Sequence, residues 1–198
     1  YDAGGRVIRL LNSDSDPMRY PLANRQNLAL ALTALADAMD PDDIATVFLT
    51  SHGSPDRFSL SFWEAGTNDM TARDLAAILD ASGLRNVLVV VSACYSGSFV
   101  DDLAAPDRMI VTAASDSTTS FGCADENEWT WWGRAFFDES LRTQTDPRLA
   151  FSAAQSMVES WEVAEGHEPS RPQVDVGAEF NARLDAYLAQ GVRQSALR

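Results

Sequence analysis

Five consecutive apolar residues, Val87 to Val91 within Asn86-Val-Leu-Val-Val-Val-Ser-Ala93, constrain this chain more than any other feature. A strand with one wet face alternates apolar and polar side chains. A strand whose every side chain is apolar must be covered on both faces, as in a parallel sheet flanked by helices. A second strand is expected over Ile44 to Thr50 (IATVFLT) and a third over Met109 to Ala114. Between them lie helical patterns. Asn24 caps a helix through about Met39 with Leu28, Leu32, Leu35 and Met39 on one face, and Pro41 with Asp42-Asp43 ends it. Thr71 and Asp74 form a capping box, and Gly83 closes the helix behind them. The order strand, helix, strand, helix, strand predicts an α/β domain with a mainly parallel sheet and crossover helices.

The remaining elements are weaker. Val7 to Leu11 reads as a strand, Phe58 to Trp63 as a small exposed hairpin and Phe99 to Leu103 as a short helix. Ser115 to Glu128 is a long polar loop. Helices fit Gly133 to Leu141, Leu149 to Glu165 and Ala178 to Gln190, with a proline-bearing loop at His167 to Pro172. The 198 residues contain no repeat, low-complexity stretch or linker, so residues 1–198 read as a single domain. A chain this long buries about 70% of its unfolded surface and needs neither disulfide nor metal to hold a core.

Charge narrows the partners. The net charge is −14, carried against 15 Arg and no Lys. Nucleic-acid binding needs clustered cations facing phosphate, which argues against that class here. No apolar run approaches the ~20 residues of a membrane helix. Two cysteines build no disulfide framework. They fit a reducing compartment or one optional bridge, which leaves cytoplasm and periplasm both open.

The two motifs that carry chemistry each follow a buried strand. Ile44 to Thr50 runs into Ser51-His52-Gly53-Ser54, and Asn86 to Ala93 runs into Cys94-Tyr95-Ser96-Gly97. The chain has only two His and two Cys, and one of each stands at such a strand end. In open α/β sheets, ligands bind beyond the carboxyl ends of the strands. A thiolate is the reactive form of cysteine, and a nearby imidazole can generate it and shuttle protons. His52 and Cys94 are therefore the candidate base and nucleophile. The backbone N–H groups of Gly53 and Cys94 are candidate oxyanion donors, and Gly97 permits a sharp turn after the nucleophile. Cys123 reads as a spare thiol in a polar loop and His167 as a solvated loop residue. Ser96 lacks the G-x-S-x-G elbow of a serine nucleophile. Trp129, Trp131 and Trp132 read chiefly as anchors in the core or its loops.

Thr50-Ser-His-Gly-Ser54 and Ser92-Ala-Cys-Tyr-Ser-Gly-Ser98 resemble the signatures of the legumain-type (asparaginyl endopeptidase) cysteine peptidases, most closely their bacterial branch. The likeness continues through Tyr20 to Ala23, Asp40 to Asp43, Thr118 to Cys123, Gly133 to Phe137 and Pro169 to Gln173. It implies a caspase-like fold and a cysteine endopeptidase acting on peptide or protein substrates, with no cofactor and no metal. His52 matches the catalytic His, Cys94 the nucleophile and Gly53 the glycine after the His. The resemblance also makes Ser92 and Arg134 candidates for substrate binding. Arg134 stands where animal and plant members keep an acid, so asparagine preference does not carry over. If Arg134 lines the pocket, acidic or small polar residues are expected at P1 and basic ones disfavoured. Two alternatives use the same scaffold: a transamidase that passes the thioester to an amine, and an inactive interaction domain. The family's domain opens with a strand and helix before the segment matched by Val7 to Leu11, so this chain is expected to lack that first pair.

Overall fold

The computed structural model describes residues 6–12, 20–62, 66–124 and 127–195. Its centre is a four-stranded sheet. The strands are β1 (Ala45–Thr50), β6 (Val87–Ser92), β7 (Arg108–Thr112) and β8 (Gln173–Val176), in that spatial order. Strands β1, β6 and β7 run parallel, and β8 pairs antiparallel with β7. Two small ribbons lie outside the sheet. They are β2 (Gly53–Ser54) with β3 (Arg57–Phe58), and β4 (Ser61–Phe62) with β5 (Gly66–Thr67). The chain is thus an α/β protein with a mainly parallel sheet flanked by helices.

The apolar run of β6 is buried throughout because helices cover both of its faces. Val87, Val89 and Val91 face a core shared with α1 (Arg25–Ala38), α2 (Ala72–Ser82) and α3 (Val100–Leu103). Leu88 and Val90 face a second core with α6 (Pro147–Glu165) and α7 (Ala178–Ser195). That second core also packs against a helical stretch whose ends are α4 (Trp131–Gly133) and α5 (Leu141–Thr143) and whose middle, Arg134–Ser140, is a π-helix. Trp132 is 1% exposed there, stacked on Phe136 at 5.7 Å.

Local signals fix the helix ends. Asn24 caps α1 by accepting the Asn27 N–H at 2.8 Å. Thr71 and Asp74 bond reciprocally as a capping box, and Gly83 takes a left-handed φ of 78°. The carboxyl of Asp74 is held below the usual carboxylate range, first by the Thr71 backbone N–H and then by its hydroxyl.

Four expectations change. Val7 to Leu11 is not a strand: its sheet-like contact is a single bridge from Leu11 to Leu22, and Val7 is 64% exposed. A strand persists only where a neighbour takes up its backbone groups, and among the described residues none lies along this segment. The second change is β8, absent from the sequence reading. The third is the hairpin expected over Phe58 to Trp63: its described residues belong to the two small ribbons, with Phe58 and Leu60 buried rather than exposed, and Trp63 lies outside the described residues. The fourth is β1, read as a buried strand but alternating buried and exposed positions, with Phe48 39% exposed.

Candidate active site

The parallel register sets the level of both motifs. Thr50 lies opposite Ser92, and the Ser51 N–H donates to the Ser92 carbonyl at 3.3 Å. His52 is two residues beyond Thr50, and Cys94 is two beyond Ser92. Neighbouring strands lie about 4.8 Å apart, so both motifs leave the sheet side by side. Their backbones pack tightly. A Cβ placed on Gly53 would lie 2.4 Å from the Cys94 carbonyl oxygen and 3.1 Å from the Ala93 Cβ. Only glycine fits there without moving the Cys94 backbone.

Ribbon pairing orients the Gly53 amide. The Ser59 N–H donates to the His52 carbonyl at 2.9 Å, and Gly53 stands opposite Phe58. That pattern makes Gly53–Phe58 a non-hydrogen-bonded pair, so the Gly53 N–H points away from β3. The turn after Cys94 is equally determined. Tyr95 takes a left-handed φ of 56°, uncommon for a bulky residue. Its N–H donates to the Thr118 carbonyl at 2.8 Å, and the Ser98 hydroxyl bonds its carbonyl at 2.7 Å. With the Tyr95 N–H engaged, the amides of Gly53 and Cys94 are the candidates for holding an oxyanion. Gly97 lies under the Ser115–Asp116 backbone, where a Cβ would meet the Asp116 nitrogen at 2.5 Å.

Cys94 is half-buried and in no disulfide, and Ser120 approaches its sulfur from one side. The Ser120 N–H donates to Sγ at 3.3 Å, its carbonyl lies at 3.6 Å and its hydroxyl at 3.7 Å. His52 is exposed and lines a cleft of about 260 Å³ with Thr50, Ser51, Gly122, Cys123, Glu128 and Thr130 among its other walls.

Cys94 is not among the residues that line this cleft, and the other candidates divide between its walls and the interior. Ser92 is 1% exposed, and its hydroxyl lies 2.9 Å from that of Thr130. It reaches the cleft through Thr130, which also accepts the Gly133 N–H at 3.0 Å as the cap of α4. Arg134 is elsewhere. Its guanidinium bonds Glu139 at 3.1 Å, sits over the Trp161 ring at 5.2 Å and does not line the cleft. Cys123 does line it. His167 stacks on Phe121 at 4.2 Å between ring centres. Ser96 is buried and its hydroxyl accepts the Ala114 N–H at 3.1 Å, a structural role. Sequence reasoning gave no role to Thr118, Ser120 or Thr130, although the family likeness spans Thr118 to Cys123. They sit in a polar loop or at a helix cap, where nothing in the local pattern separates them from other Ser and Thr.

The profile of the Peptidase C13 family matches residues 27–183, a span that holds both motifs. The chain belongs to the Peptidase C13 family. Membership supports a cysteine peptidase function and, with it, protein substrates. A search of curated proteins finds no match. Among solved structures the chain is similar to the crystal structure of caspase-1 from Spodoptera frugiperda, at 16% identity and a TM-score of 0.49. That likeness covers 76% of this chain and 67% of the caspase. No helix among the described residues is long and apolar enough to cross a membrane.

Proposed function

We propose that this chain is a cysteine endopeptidase with Cys94 as nucleophile and His52 as its base. His52 takes the Cys94 proton, and the thiolate attacks the carbonyl carbon of a peptide bond. The C=O π bond opens, and the oxyanion is held by the N–H groups of Gly53 and Cys94. As the carbonyl re-forms, the C–N bond breaks and His52 delivers its proton to the leaving amine. A thioester remains on Cys94. Water then attacks it, with His52 taking the water's proton and returning one to the sulfur, which releases the acid and the free thiol.

The observation that carries this reading is the shared level of the two motifs, with Gly53 packed on the Cys94 carbonyl. The cleft walls bear on specificity. Arg134 lies outside them with Glu139 beside it, so the P1 preference is proposed to follow Glu128, Thr130 and the Gly122–Ala124 wall. Ser92 contributes by holding Thr130 in place.

Cleavage of a peptide library, with products read by mass spectrometry, tests the assignment. Cys94→Ala and His52→Ala should each lower turnover by more than about 10³-fold. Cys123→Ala and Ser96→Ala should keep measurable turnover. Full activity in Cys94→Ala overturns the assignment, and ligated rather than hydrolysed products would redirect it to amine transfer.

A further inference from the structure

Glu162 on α6 is the only buried acidic side chain among the described residues, at 1% exposure. Burying a carboxyl group is costly unless it is bonded, and an apolar side chain would fill the same space at lower cost. The Glu162 side chain secures one loop through Oε2, while its Oε1 is buried with no hydrogen-bond partner among the described residues. Its Oε2 accepts the Ser170 N–H at 3.1 Å, and its own backbone carbonyl accepts the His167 N–H at 2.8 Å. Ser170 is 1% exposed in turn.

The contacts continue toward Cys94. The Ser170 carbonyl accepts the Ser115 N–H at 2.8 Å and a short hydrogen bond from the Thr118 hydroxyl. The Thr118 hydroxyl also accepts the Ser115 N–H at 3.0 Å, closing the turn. From this turn two bonds reach the nucleophile: the Thr118 carbonyl holds the Tyr95 N–H, and the Ser120 N–H faces the Cys94 sulfur. Tyr95 is in the left-handed region, a conformation that persists only when its surroundings over-determine it.

We propose that Glu162 is a positioning residue for Cys94, acting through Ser170 and the Ser115–Ser120 turn. This rests on the cysteine-peptidase reading above. Glu162 touches neither sulfur nor substrate. It fixes where the sulfur points and where the adjacent amide lies, and small misplacements of a reacting group cost about 10²-fold in rate.

The test compares the full chain with Glu162→Ala, Glu162→Gln and Thr118→Val. Two quantities are read at one fixed pH: kcat and KM on a cleaved peptide, and the rate of iodoacetamide modification at Cys94 and at Cys123. Glu162→Ala should lower kcat and Cys94 modification by about 10- to 100-fold with KM within about twofold. Glu162→Gln keeps an oxygen for the Ser170 N–H and should restore both. Thr118→Val is nearly isosteric and removes only the hydroxyl link. It should reproduce the Glu162→Ala loss with a folded circular-dichroism spectrum, and it carries the test should Glu162→Ala not fold. Wild-type rates at Cys94 in Thr118→Val and in folded Glu162→Ala overturn the proposal while leaving the peptidase reading intact. Wild-type Cys94 reacting no faster than Cys123 overturns that reading, and this proposal with it.

Discussion

At Gly53 the absence of a side chain is a geometric requirement. The atom that a Cβ would meet at 2.4 Å is the Cys94 carbonyl oxygen, part of the backbone. A flexible side chain can step aside, but this oxygen moves only if the nucleophile's turn moves. Gly53→Ala should therefore displace one oxyanion donor and the Cys94 backbone together. Loss of a single such donor costs about 10²- to 10³-fold in kcat, and that drop is expected here with secondary structure unchanged by circular dichroism. Near-normal kcat would show that the approach of the two motifs is incidental. His52 and Cys94 were readable in the sequence as candidates because each combines a rare residue type with a strand end. Ser120 and Thr118 were not, since their roles arise from the folding of a loop back onto Cys94.

At the scale of elements, α6 matters because it carries Glu162, the proposed positioning residue for Cys94. Its start is set by Asp146, whose side chain accepts the Arg148 N–H at 2.9 Å, with Pro147 at the first helical position. Burial alone would raise the Asp146 carboxyl, but the Arg148 side chain and the helix N–H groups outweigh it and hold the group below the usual carboxylate range. A depressed folded-state pKa contributes stability that is present above the unfolded value of about 3.9 and is lost as pH falls through the folded value. Asp146→Ala should cost about 1 kcal/mol near neutral pH. The gap between the two proteins should narrow below about pH 4. Denaturant melts from pH 7 down to the acid limit of folding measure both quantities, and a pH-independent gap would exclude the charge as its source.

Elements also differ in how clearly the sequence announces them. The five-residue run of β6 and the Thr71–Asp74 box are signals carried by the residues themselves, and both elements formed as read. Strand β8 spans only Gln173–Val176 after a proline-bearing loop, too short for alternation to show, and it exists because the edge of β7 accepts it. Val7 to Leu11 shows the converse: a mostly apolar run with no neighbour along it among the described residues is irregular, with Ile8 49% exposed. The π-helical turn within the stretch expected as a helix over Gly133 to Leu141 answers to tertiary packing, where Phe136 and Phe137 turn toward different neighbours. Phe136 stacks on Trp132 in the second core, and Phe137 meets Phe48 of β1 edge-on at 4.7 Å.

Across the whole molecule, the sheet divides two cores and presents one end for chemistry. One core, under α1 and α2, supports β1 and the His52 motif. The other, under α6, supports the loop that reaches Cys94 from the far side. The proposed dyad of His52 and Cys94 lies where the two halves meet, just beyond the carboxyl ends of β1 and β6, as open α/β sheets place their ligands. The central claim is that Cys94, served by His52, is the nucleophile of this site. A peptidyl acyloxymethyl ketone, which alkylates an activated active-site thiol, tests it most directly when the labelled residue is located by peptide mass spectrometry. The account predicts stoichiometric label on Cys94, none on Cys123, and labelling slowed by at least about 10²-fold in His52→Ala. Label on Cys123 in preference to Cys94, or labelling of Cys94 at the same rate without His52, would contradict it.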